Sequence, residues 1–182
     1  MLKWNFFNNS PVVTSAFEGK PFLSSIIFAP VLFIFKNNYY LQILLFIIFS
    51  IDVVLFYIIC RKYLSIFFAV AATFLLAVNP NILITNRMIL SEPILLFFVL
   101  IVLIIHLFKK NSGIKYFAIG MLIACAFLTK NEGILLLPAF ALSLYKNVKN
   151  IVFILLGFMI TSFPYLILNY LTNNSPLYSY NI

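Results

Sequence analysis

Apolar segments follow one another along this chain with almost nothing charged inside them. Six occur, at roughly 39–60, 64–78, 88–108, 114–128, 133–145 and 150–171, each closed by a short polar or Pro/Gly-containing link. A helix crosses the hydrocarbon core of a bilayer in about 20 apolar residues, fewer where it is paired or broken. The pattern therefore predicts an all-α fold, a polytopic transmembrane helical bundle of about six spans, the fourth and fifth short. Only 9% of the 182 residues are charged against 64% hydrophobic, with 22 Phe and 10 Tyr, and the mean hydropathy of +1.12 lies outside the range of soluble domains.

The 12 Lys and Arg against 4 Asp and Glu would suggest nucleic acid in a soluble chain. Here the cations sit in short links beside apolar runs, where they set orientation, so membrane lipids and no nucleic acid are the expected partners. Alternating the sides puts Arg61, Lys62, Lys109, Lys110, Lys115, Lys146 and Lys149 on one face, with no acid in those links. That face is read as cytoplasmic. The other face receives Glu18, Glu92 and Glu132 with Lys20, Lys36, Arg87 and Lys130. The expected layout is multi-pass in a cell membrane: an extracytoplasmic loop and interfacial helix over 1–38, a transmembrane domain over 39–172 and an extracytoplasmic tail over 173–182. Residues 22–35, which carry Pro30, are read as the interfacial helix; were they to span, the N-terminal tail would change sides. Residues 1–13 contain no signal peptide and no helix able to carry a tail across, so a segment upstream is expected.

Polar interruptions are where chemistry can sit. In the break between Asn79 and Pro93, Arg87 offers bidentate donors to an anionic phosphate, while Ser91, Glu92 and Pro93 also suit a plain helix start. The link Lys130-Asn-Glu132-Gly133 again pairs opposite charges, or is a solvated turn. Phe17-Glu-Gly-Lys-Pro21 places Glu18 and Lys20 just before an apolar helix, the lysine able to neutralise a phosphate and the glutamate to hold a cation; its alternative is a polar loop. Asp52, inside a long apolar segment, reads as a proton or cation relay or as a structural hydrogen bond to Ser50 or a neighbouring helix, the structural role preferred. Asn169, in the segment after Pro164, suits sugar hydroxyls or an interfacial belt. Cys60 and Cys125 have no disulfide or zinc spacing, and His106 stands without a second ligand, so none is given a role.

Taken in order, Glu18-Gly-Lys-Pro21, Ser91-Glu92, Lys130-Asn-Glu-Gly133 and Pro164 with Asn169 resemble the core of the GT-C-type membrane glycosyltransferases, the group containing protein O-mannosyltransferases and aminoarabinose lipid A transferases. The resemblance covers about 16–178 and rests on short motifs. It implies a polyprenyl- or dolichyl-phosphate sugar donor used at the extracytoplasmic face. Lys20 and Arg87 would lie near the lipid phosphate, Glu18 near a divalent cation or the acceptor, and Glu92, Lys130, Glu132 and Asn169 would complete the substrate-binding set. The chain departs from the family in having no acid before Glu18, so the family's catalytic Asp motif has no counterpart and the catalytic residue stays unassigned. The resemblance thus implies an incomplete member, inactive alone, with a second membrane chain supplying missing helices. The alternative from another class is a small polytopic scaffold or transporter subunit without enzymatic activity.

Overall fold

The computed structural model describes residues 22–145 and 147–173. Among them are eight α-helices, one 3-10 turn and no strand. Each of the six apolar segments is helical: Pro93 and Pro138 fall in the first turn of a helix, where a missing backbone donor costs nothing, and only Pro164 lies inside one. The helices are α1 (Phe22–Phe35), α2 (Tyr39–Tyr63), α3 (Ile66–Ala77), α4 (Pro80–Arg87), α5 (Glu92–Phe108) and α6 (Gly113–Thr129). The 3-10 turn Asn131–Leu135 then leads into α7 (Leu136–Ser143), and α8 (Val148–Asn173) follows.

The six-span expectation is met only in part. Two helices, Tyr39–Tyr63 and the Val148–Ile167 stretch of α8, are long and apolar enough to cross a membrane. At 1.5 Å per residue the 17-residue helices α5 and α6 measure about 25 Å, short of the roughly 30 Å hydrocarbon core. The 12 residues of α3 reach only about 18 Å. The break after Asn79, expected as a polar link, also holds the 8-residue helix α4. Proline opens it at a position where its missing N–H costs nothing.

Three contacts fix the directions of the helices. Gln42, near the start of α2, donates to the Arg87 carbonyl at 3.0 Å, while Lys62, near its end, donates to the Leu107 carbonyl and lies 4.7 Å from the centre of the Phe108 ring. Helices α2 and α5 therefore run parallel, and α6 returns antiparallel to both. Helix α8 runs parallel to α6: the ring of Phe153 faces Gly113, and Gly157 faces Phe117 and Met121.

The α6–α8 crossing is made by bare backbone. A Cβ on Gly120 would stand 2.0 Å from the Ile154 carbonyl oxygen, and one on Gly157 would stand 2.2 Å from that of Phe117. Small residues at helix contacts allow such approach and let dispersion act between backbones, the device lipid-embedded helices use where no hydrophobic force drives them together. Around this crossing gathers the larger core, including Val102 of α5, Ile119, Ile123 and Phe127 of α6, Phe140 of α7 and Ile154 and Phe158 of α8. A smaller core joins Phe28 of α1, Leu41 and Leu45 of α2 and Ile94 of α5. Outside these, large apolar side chains are exposed, as at Phe33, Phe67, Leu75 and Leu142.

Candidate functional site

With α2 and α5 parallel and α6 reversed, charged residues separate to the two ends of the bundle. At the end where α5 begins and α6 stops, Lys130 Nζ lies 3.0 Å from Glu92 Oε1 and 3.5 Å from Glu132 Oε1. Three of the residues singled out from the sequence thus meet, two of them 38 positions apart. Lys130 occupies the C-cap of α6 in extended conformation, which turns the chain back toward the start of α5.

Gly133 makes that turn possible. Its amide donates to the Lys130 carbonyl at 2.8 Å, and a Cβ there would stand 2.4 Å from the Ala126 carbonyl carbon. The turn is therefore pressed onto the backbone of α6, and only glycine leaves room for it. Glu132 and Lys130 owe their position to that contact.

Two carboxylates about one ammonium carry a net charge of −1. Burial lowers the readiness of Lys130 to stay protonated, but the Glu92 hydrogen bond and the charges of Glu92 and Glu132 outweigh it and hold the ammonium above the usual lysine range. Lys130 is thus a fixed cation, already neutralised. Glu92 Oε2, by contrast, is buried without a hydrogen-bond partner among the described residues. It is an acceptor that the described residues leave unsatisfied.

Arg87 is not part of this cluster: Lys130, rather than Arg87, partners Glu92. The arginine ends α4, is exposed, and makes no ion pair among the described residues. Its backbone is anchored instead, the carbonyl accepting from Gln42. Directly after it the Leu90 amide bonds the Thr85 carbonyl at 3.2 Å while Ile89 holds φ 54°. This is the Schellman ending, with the left-handed position filled by a β-branched residue in place of glycine. Such strain costs on the order of 1–3 kcal/mol and gathers at ligand clamps and switches. Ser91 sits at the N-cap of α5 but makes no side-chain cap bond, so the capping alternative for it fails.

Glu18 and Lys20 lie outside the described residues, as do 174–182 of the tail. The backbone of Asn169 continues α8 beyond Pro164, and its side chain is outside the description. Among the described residues no group of three or more His, Cys, Asp and Glu is placed to hold a metal. In the Glu92 and Glu132 pair an ammonium already occupies the position a cation would take.

Asp52 is fully buried in the middle of α2, and neither carboxylate oxygen has a hydrogen-bond partner among the described residues. The expected bond to Ser50 is not made: that hydroxyl donates to the Phe46 carbonyl at 2.8 Å. His106 packs edge-on against Phe140, with Nδ1 buried and unbonded among the described residues. Sequence reasoning missed the roles of Gln42, Ile89 and Gly133. Only Gly133, a glycine directly after paired charges, left a signal; isoleucine is the last residue expected in a left-handed cap.

No family model, curated protein or solved structure matches the chain.

Proposed function

We propose that this chain is a multi-pass cell-membrane domain of about six helical crossings, several of them short and paired, belonging to a glycosyltransferase that uses a polyprenyl- or dolichyl-phosphate-linked sugar. One observation carries the reading. Lys130 gathers Glu92 and Glu132 at the end of the bundle that also bears Arg87, with one Glu92 oxygen left unbonded. In this arrangement Arg87 is the group that pairs with the lipid phosphate, since its guanidinium offers a planar fork free of any carboxylate among the described residues. Glu92 is oriented by Lys130 through one oxygen, and its other, buried oxygen reaches a sugar hydroxyl once the cluster opens around the donor. Recognition of the donor is what these residues supply; the acid-base step is assigned to none of them.

The test is binding of undecaprenyl phosphate and of its sugar-bearing form to the purified chain in nanodiscs. Arg87→Gln weakens both by about tenfold, the loss of one charge-assisted pair. Glu92→Gln weakens the sugar-bearing form alone. Binding of undecaprenyl phosphate no tighter than that of undecaprenol sinks the reading.

A second reading, a transporter subunit, is favoured by Asp52, a buried acid in mid-helix without a hydrogen-bond partner among the described residues. It requires that Asp52→Asn abolish proton or cation flux into proteoliposomes, whereas the glycosyltransferase reading requires no such flux.

A further inference from the structure

The opposite end of the bundle carries a different kind of site. Between the C-terminus of α5 and the first turns of α6 lies a groove of about 310 Å³, walled by the apolar side chains of Ile105, Ile114 and Ala118 and rimmed by Lys109 and Lys110. Its geometry is set by Lys115, which is 5% exposed. The Lys115 ammonium donates to the carbonyls of His106 at 2.8 Å and Lys109 at 2.9 Å and to Asn111 Oδ1 at 3.1 Å. Asn111 Oδ1 also accepts from the Tyr116 hydroxyl at 3.0 Å. All three donors of Lys115 are therefore consumed in bracing the 109–112 link.

Lys109 and Lys110 are left over. Both are exposed and neither makes an ion pair among the described residues. Beside them Ile114 is 83% exposed, an apolar side chain in the first turn of a helix with nothing among the described residues over it. Two free ammonium groups on the rim and a greasy wall below describe a ligand that is anionic at one end and hydrocarbon at the other. Among the described residues no acidic side chain joins the lining to repel such a ligand.

We propose that this groove binds one anionic glycerophospholipid, its phosphodiester between Lys109 and Lys110 and the upper part of an acyl chain against Ile105, Ile114 and Ala118. Charge complementarity and the braced link commit the site to a lipid. A protein segment would have to bring acids to the rim and leave Ile114 facing the bilayer. The site is independent of the sugar-donor reading, since it lies at the other end of α5 and α6 and shares no residue with it.

The experiment is a lipid competition in nanodiscs of phosphatidylcholine, with phosphatidylglycerol titrated against the full chain and bound lipid counted by native mass spectrometry. Lys109→Gln and Lys110→Gln each lower the preference for phosphatidylglycerol about fivefold, and Lys149→Gln, at the same end but outside the groove, leaves it within twofold. Ala118→Leu narrows the apolar wall and lowers phosphatidylglycerol retention with the lysines intact. Inorganic phosphate at millimolar concentration fails to displace the lipid. Equal effects of Lys149→Gln and Lys110→Gln would reduce the preference to general surface charge and overturn the site. So would displacement by inorganic phosphate, or an Ala118→Leu variant that retains lipid as well as the parent while its thermal unfolding is unchanged.

Discussion

Lys130 shows how little an ion pair means until its surroundings are counted. The Glu92 contact at 3.0 Å is partly shielded, whereas Glu132 stands at 3.5 Å and is exposed. A double-mutant cycle of Lys130→Gln with Glu92→Gln, read by unfolding in mixed detergent, should give a coupling of about 1 kcal/mol; the cycle with Glu132→Gln should give under about 0.5 kcal/mol. Because the cluster raises the folded-state pKa of Lys130, its contribution is fully present below the ordinary lysine value of about 10.4 and fades as pH rises through the higher folded value. Stability attributable to Lys130 should hence be flat from about pH 7 to 9 and fall only above about 10.4. Asp52 is the opposite case: both oxygens are buried and unbonded among the described residues, so Asp52→Leu removes a desolvation cost. It should leave stability unchanged or raise it by about 1–3 kcal/mol, and a loss of that size would reveal a partner for the acid. That Glu92, Lys130 and Glu132 share one end was legible in the sequence, because alternating the spans puts alternate links on one side. Their detailed partnership was not, since Arg87 stands nearer Glu92 along the chain and only the path of α6 brings Lys130 closer.

Helices were legible wherever a long apolar run lay between breakers, and that covers α2, α5, α6 and α8. Their lengths were not, because an apolar run can include residues that the backbone gives to a link, as Met88 to Ser91 ahead of α5 show. Gly120-X-X-X-Ala124 and Gly157-X-X-X-Thr161 were the available signals for the α6–α8 crossing. Alanine at either glycine pushes a methyl into a carbonyl of the facing helix, so Gly120→Ala and Gly157→Ala should each cost about 1–3 kcal/mol. Gly113→Ala meets only the edge of the Phe153 ring at 2.9 Å, which can swing aside, and should cost less than about 1 kcal/mol. Thermal unfolding of the three variants in one detergent ranks them, and equal losses would mean the crossing is looser than its distances.

The molecule as a whole is polarised. Lys62, Lys109, Lys110 and Lys115 collect at one end and Glu92, Lys130 and Glu132 at the other. In a variant with Cys60 and Cys125 replaced by serine, single cysteines at positions 110 and 132 should react with a membrane-impermeant maleimide from opposite sides of a sealed vesicle. Labelling of both from one side would refute the membrane arrangement proposed above.

In the membrane arrangement proposed above, the backbone contact between α6 and α8 also decides how the bundle answers a change of bilayer thickness. Side-chain interfaces can repack by rotamer hops, but two backbones at carbonyl distance have nothing to adjust. The pair must therefore lean as one plank. Helix α2, held to the rest by ordinary side chains, then becomes the compliant stave that takes up the mismatch.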